Sequence, residues 1–252
     1  MRHLVLSDIH AHPDHDNKRA EWLGKLILDI RPDVVIVNGD LADMPSLSSY
    51  DKGKKSFQGR TYKADIDAHL DFQDRLWGTV RSAKRKMPRR VCTIGNHEQR
   101  IDRAIELQAE LDGTISYDDL ELSNWYNDVV PYTGSSPGSI TVDGVHYQHY
   151  AISGVLGHPI SGEHSGYSIL SKRHVSSVVG HSHKFDYCVR TRGDGKKIMA
   201  LDTGCFFDFD LPYAGAANAL YWRGACVLDN CVDGVYDLRT ISLNAIRREY
   251  GK

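Results

Sequence analysis

Val91-Cys92-Thr93-Ile94-Gly95-Asn96-His97-Glu98 is the stretch whose reading decides how this chain folds. Its first four residues form a short apolar run that a sheet would bury. The segment from Gln99 onward is helix-like in composition, so Gly95 to Glu98 sit at a strand-to-helix turn. In open α/β sheets the carboxyl ends of strands are where ligands collect. An amide, an imidazole and a carboxylate placed side by side at such a turn add little to packing. What they mean depends on which other strand ends could meet them.

Toward the N-terminus the pattern repeats. His3 to Leu6 reads as a buried strand that ends in Ser7-Asp8-Ile9-His10. A helix over about 17–30 follows, with Trp22, Leu23, Leu26, Ile27 and Ile30 at helical spacing. Arg31-Pro32-Asp33 stops it, and Val34 to Val37 is a second strand ending in Asn38-Gly39-Asp40. Strand, helix, strand with short connections is a βαβ unit with parallel strands. Residues 44–61 read as an irregular excursion, and 62–85 as a long helix with Ile66, Leu70, Leu76 and Val80 inward. That helix runs into a basic cluster, Arg81, Lys84, Arg85, Lys86, Arg89 and Arg90. The cluster suits a solvated helix end, where cations meet the C-terminal dipole. A phosphate-backbone patch is the alternative.

Toward the C-terminus, the spacing gives a helix over about 100–111 closed by Asp112-Gly113. Residues 114–137 give no clear pattern. Residues 140–147 form a hairpin turning at Asp143-Gly144, whose second strand runs out at Gln148-His149. A Gly- and His-rich loop (154–166) leads to a short helix over 167–173 and a buried strand over 175–179, which ends in Gly180-His181-Ser182-His183. Antiparallel strands are expected at about 187–192, 197–201, 224–228 and 235–238, with an aromatic-rich insertion over 206–222 read as core or rim packing before a base-stacking platform. There is no internal repeat and no linker composition, so residues 1–252 are read as one domain.

Composition excludes several classes. A chain of 252 residues, 41% hydrophobic and 25% charged, is ordinary for a globular protein in water. A net charge of −2 offers no global attraction for nucleic acid or an anionic membrane. The five cysteines are scattered without a CxxC pair, which fits a reduced, cytoplasmic protein. No secretory h-region is visible, and no apolar run approaches the roughly 20 residues of a membrane span, so no membrane partner is expected. G-x-S-x-G and Walker motifs are absent. The unusual feature is the 13 histidines, which fall in short groups.

Five strand ends thus carry chemistry: Asp8-Ile9-His10, Gly39-Asp40, Gly95-Asn96-His97-Glu98, His149 and Gly180-His181-Ser182-His183. Strand ends of one sheet face one rim, so these side chains can converge. Carboxylates, imidazoles and one amide oxygen, without thiolates, suit divalent Mn, Fe, Zn or Ni. The donors are too many for one ion and about right for two, if one carboxylate bridges.

D-x-H, GD, GNHE, a lone strand-end His and GHxH, in that order over residues 8–183, resemble the calcineurin-like metallophosphoesterase superfamily. The resemblance implies a four-layer α/β/β/α sandwich of two mixed β-sheets flanked by helices. It implies that Asp8, His10, Asp40 and His183 hold one metal ion. Asp40, Asn96, His149 and His181 would hold the second, with Asp40 bridging. Mn is the first expectation for both ions. Two such ions about 3.5–4 Å apart can clamp a phosphoryl oxygen and generate hydroxide at neutral pH. By the same resemblance His97 is a general acid for the leaving group and not a ligand. Asp43, in a GD-x-x-D spacing, would orient it, and Glu98 is read as a support residue.

The sequence also departs from the family. Met44 follows Asp43 where the protein phosphatases have a phosphate-binding arginine, and Tyr150 follows His149 where glycine is common. Both count against the protein-phosphatase branch. Arg100 and Arg103 are candidate replacements for the phosphate contact, with exposed helix cations as the alternative. His158, like His12, His15 and His164, lies in a loop that could edge the pocket, and His146 is read as structural. The expected function is in-line hydrolysis of a phosphoester, with a phosphodiester, nucleotide or nucleic acid favoured. A Ser/Thr phosphatase-like monoesterase is the runner-up, and a non-enzymatic scaffold has no need of so many converging donors.

Overall fold

A computed structural model describes residues 1–252. The apolar runs become strands in the expected order. β1 (His3–Leu6), α1 (Lys18–Ile30) and β2 (Val34–Asn38) form the first βαβ unit; α2 (Tyr62–Ser82) leads to β3 (Arg89–Thr93). Next come α3 (Arg100–Leu107), α4 (Leu122–Trp125) and β4 (Asp128–Val130), then the hairpin of β5 (Ile140–Val142) and β6 (Val145–Tyr147). A small pair, β7 (Ile152–Ser153) and β8 (His158–Pro159), precedes α5 (Ser165–Arg173) and β9 (Ser177–Val179). The chain ends with β10 (Phe185–Thr191), β11 (Lys197–Thr203), β12 (Gly224–Val232), β13 (Val235–Ser242) and α6 (Leu243–Tyr250).

Two mixed sheets result, ordered β13-β12-β1-β2-β3-β4 and β10-β11-β9-β6-β5. β1 through β4 are parallel, and β12 adds antiparallel to β1. The late antiparallel strands are therefore divided: β10 and β11 join the second sheet, β12 and β13 the first.

The layering follows from period-two alternation in strands buried on both faces. Val35 and Val37 of β2 turn to one side, into a cluster with Leu23 and Leu26 of α1, Leu76 and Trp77 of α2, and Ile246 of α6. Val34 and Ile36 turn to the other side and meet Val145, Tyr147, Val178 and Leu201 of the second sheet. Ile169 and Leu170 of α5 cover the far face of that sheet against Val179, Ile198 and Ala200. Helices, sheet, sheet, helix: the expected α/β/β/α sandwich is the fold.

The differences are local. α2 stops at Ser82 and α3 at Leu107, earlier than their spacing suggests, while β13 runs on to Ser242 and directly into α6, which sequence reading missed. The edge strand β4 emerges from the segment that gave no pattern. The basic cluster is not near the strand ends that carry the donors. Arg89 and Arg90 open β3, whereas Asn96 and His97 follow its close. Arg89 pairs with Asp128 at 2.8 Å, Arg81 lies over Trp125 and Arg90 over Trp77. Arg81 thus ends α2 over an indole, while Arg89 and Arg90 are taken up by a carboxylate and an indole at the start of β3.

Candidate metal centre

The carboxyl ends of β1, β2, β3, β6 and β9 bring five polar turns to one rim. Close approach there demands glycine. A Cβ on Gly95 would sit 2.1 Å from Asp40 Oδ1, and one on Gly180 would sit 2.5 Å from Asp8 Oδ2. Asp8, His10, Asp40, His181 and His183 all take left-handed backbone conformations, with φ of 53°, 47°, 52°, 70° and 60°. Non-glycine residues rarely do so, and when they do the surrounding structure must hold them there.

The donors converge in overlapping groups linked through His10 and Asp40. His183 Nε2 lies 3.2 Å and His10 Nε2 3.8 Å from Asp8 Oδ1. Asp40 Oδ2 lies 3.7 Å from His10 Nε2 on that side and 3.3 Å from His149 Nε2 on the other. His149 Nε2 is in turn 2.9 Å from Asn96 Oδ1. Donor atoms of Asp8, His10 and His183 lie within 4.8 Å of one another, as do those of Asp40, His149 and His181 and, in a third set, those of His10, Asp40 and His97. The seven sequence-expected metal residues are thus brought together, His149 included.

Asp8 Oδ1 and His10 Nε2 are buried and have no hydrogen-bond partner. Burying such atoms unpaired is costly, and a cation among them would satisfy both. The donor set of carboxylate, imidazole and amide oxygens fits divalent ions of the kind expected.

Neighbouring groups fix the orientation of the His10 and His149 imidazoles. Asp43 Oδ1 lies 2.7 Å from His10 Nδ1, which leaves Nε2 free toward Asp8 and Asp40. The same oxygen lies 2.8 Å from His97 Nδ1. His149 Nδ1 donates to the carbonyl of Asn38 at 2.9 Å, again leaving Nε2 for the site. Glu98 is fully buried and belongs to none of the donor groups. It accepts from the backbone N–H groups of Gly95, Asp40 and Ala42 at 2.8, 3.1 and 2.9 Å, pinning the Asp40 turn to the GNHE turn.

The electrostatics are those of a site built for cations. Burial opposes ionisation of Asp8, Asp40 and Asp43, yet neighbouring imidazoles (His183, His149 and His10, respectively) hold all three below the usual carboxylate range. Burial likewise opposes charge on His10, but hydrogen bonds to Asp43 and Asp8 raise it to about 10. His149 is raised to about 9 against burial by the charge of Asp40. Burial, then the charge of His149, lowers His181 to about 4. His97 is lowered by burial and by Arg100.

The centre opens into a cleft of about 1020 Å³. Its lining comes from the 44–61 excursion and from the aromatic insertion, together with His12, His15 and Arg100. Arg100 Nη1 donates to the carbonyls of Asp43 at 2.8 Å and Met44 at 3.2 Å and lines the cleft beside His97. Arg103 and His158 do not line the cleft; both are exposed, His158 on β8. His146 is half-buried and does not line the cleft.

Two residues near the donors went unnoticed in the sequence. Arg19 is buried and donates to the carbonyls of Ile9, His10, Asp16 and Phe206, tying the Asp8–His10 loop to the aromatic insertion. The signal was present: Arg19 lies four residues before Leu23, on the apolar stripe of α1. Asp202 accepts from Ser165 at 2.9 Å and from Ser182 at 2.6 Å, which anchors the His181–His183 turn. Asp202 follows the apolar run of β11 just as Asp40 follows that of β2.

Comparison with known proteins matches residues 1–201 to the Calcineurin-like phosphoesterase family. The chain belongs to that family. No protein of curated function matches it. Among solved structures, one chain is 12% identical, with a TM-score of 0.44 over 96% of this chain and 99% of its own. The crystal structure of TT1561 of Thermus thermophilus is 12% identical, with a TM-score of 0.42 over 96% of this chain and 98% of that one. No helix is long and apolar enough to cross a membrane.

Proposed function

We propose that this family member hydrolyses a phosphodiester, of nucleotide or nucleic-acid type, at a centre that holds two divalent ions, Mn first. The observation that carries the reading is the position of Asp40 Oδ2 between His10 on one side and His149 on the other. Asp8, His10 and His183 would hold one ion, Asn96, His149 and His181 the second, and Asp40 both. When bound, such ions supply the positive charge that draws in a phosphoryl oxygen and acidifies water. The five cysteines form no disulfide, and four of them are buried, which supports a reducing, cytoplasmic setting.

The protein's own groups divide the remaining work. Asp43 aligns the imidazoles of His10 and His97. His97 is the assigned general acid, and the geometry sets a condition on it. Nε2 must exchange the N–H of Arg100 for the leaving oxygen and take up a proton, which the charge of Asp40 and the hydrogen bond that Nδ1 donates to Asp43 favour. Arg100 then meets the phosphate. Its guanidinium is shared with two carbonyls, while Arg60 and Lys54 are both engaged by Asp51 at 2.8 and 3.3 Å. That supply of cations suits the single charge of a diester better than the double charge of a monoester.

A phosphatase-like monoesterase is the second reading, favoured by one contact, the pairing of Asp43 Oδ1 with His97 Nδ1 at 2.8 Å. Turnover of bis(4-nitrophenyl) phosphate against 4-nitrophenyl phosphate with Mn separates the two. A diester preference is expected, and a strong monoester preference would replace the first reading with the second. Asp40→Asn is expected to lose bound metal and turnover together; a variant that kept both would sink the two-ion centre.

A further inference from the structure

The cleft is larger than a phosphate needs, and its volume of about 1020 Å³ matches a drug-sized or nucleotide-sized ligand. Within its lining two large aromatic side chains are left open, Tyr50 at 76% and Tyr213 at 69% exposed. Other rings of the lining are engaged. Phe209 stacks on His15 with centroids 3.7 Å apart, and Tyr221 meets His183 edge-on at 4.7 Å. Tyr50 and Tyr213 have no ring or cation partner of this kind. They also come from separate segments, the excursion after β2 and the insertion after β11. Tyr213 lines the same cleft as Asp40, Asp43 and Arg100.

Charge narrows what could rest there. A groove that tracks a long strand combines stacking rings with a run of free cations. Here Lys54 and Arg60 are both taken up by Asp51, and Arg100 is shared with backbone carbonyls. The cleft has the rings without the basic track.

We propose that Tyr50 and Tyr213 are stacking surfaces for the bases of a small nucleotide phosphodiester, one or two nucleotides long, whose phosphate lies at the metal centre. This rests on the phosphodiesterase reading above and names its substrate class. An open phenol ring offers a planar apolar face to any base, so recognition would be tolerant of sequence.

The test compares dithymidine monophosphate with the same diester carrying tetrahydrofuran in place of each nucleoside, so that only the bases differ. Tyr50→Ala and Tyr213→Ala are each expected to lower kcat/KM for the dinucleotide roughly ten- to hundredfold and to leave the abasic diester within about twofold. Tyr50→Phe and Tyr213→Phe should retain wild-type values, since the ring is kept. Equal efficiency of the wild type on the two diesters, or equal losses on both in the alanine variants, would overturn the proposal. Should the wild type cleave only monoesters, the diesterase reading falls while the subsite remains testable. Calorimetric titration with thymidine 5′-monophosphate must then show weaker binding to each alanine variant, and unchanged binding would remove the tyrosines.

Discussion

Arg100 Nη2 lies 3.1 Å from His97 Nε2. A guanidinium can only donate, so Nε2 is the acceptor, and the proton of the neutral ring sits on Nδ1, facing Asp43. The cleft arginine beside the donors is thus also the residue that caps the reactive nitrogen of the histidine.

Removing that cap should affect binding and protonation at once. Arg100→Ala is expected to lower kcat/KM about tenfold or more, mostly through KM, and to move the alkaline limb of the pH–rate profile upward, because a cation that depresses His97 has gone. Arg100→Lys should restore the charge without the fork that reaches two carbonyls and the ring, and so rescue only partly. Steady-state kinetics across pH check this; an unchanged profile in Arg100→Ala would uncouple the two residues.

Metal loading should release protons. His10 and His149 are held at about 10 and about 9, so at pH 8 both rings carry protons that a cation at Nε2 must displace. Binding is therefore expected to weaken as pH falls. Calorimetric titration with Mn in buffers of different ionisation enthalpy should show a release of one to two protons, on the order expected for two such rings. Release indistinguishable from zero would contradict the arrangement.

Glu98 makes its contribution through the backbone. Its carboxylate accepts three N–H groups, and burial followed by the charge of Asp40 raises its pKa to about 7. Glu98→Gln substitutes an amide that must turn an N–H toward other N–H groups. A loss of roughly 1–3 kcal/mol in denaturant unfolding is expected, together with weaker metal binding as the Asp40 turn loosens. Full stability in the variant would show that the turns hold without it.

His69 gives the fold an acid limit away from the site. It is fully buried on α2, and its Nε2 bonds the carbonyl of Leu120 at 3.1 Å. Burial lowers its pKa from 6.5 to about 4. The folded value is the depressed one, so the unfolded chain binds the proton more readily between these two values. The contribution is whole above pH 6.5 and is lost as pH falls toward 4, an effect of about 3 kcal/mol. Urea midpoints of wild type and His69→Gln between pH 7 and 4.5 should converge at the acid end; parallel curves would remove His69 as the cause.

β1, β2 and β9 could be read from sequence because each is buried on both faces, which leaves a continuous apolar run with a polar turn at its end. The same physics made the metal residues legible, since a buried run marks the turn that follows as a rim position. Shorter or half-exposed elements left weaker traces. In α6 only Leu243 and Ile246 are buried, and β4 is a three-residue edge strand. The walls of the cleft were the least legible part, because the segments after β2 and β11 have no period to follow. Arg100 and Arg103 look alike in sequence, yet one residue opens α3 at the rim and the other lies about 4.5 Å farther along the axis. Arg19 was passed over because a charge on an apolar stripe is usually taken for the edge of the stripe; here it is the knot between two loops.

The left-handed backbone at Asp8, His10, Asp40, His181 and His183 also limits how this centre can decay. Asparagine and glycine tolerate that conformation; valine, isoleucine and threonine do not. A descendant that abandoned the chemistry while keeping the fold would therefore have few routes open at these five positions. Its inactive remnant would be recognisable by asparagine and glycine standing where the donors had been.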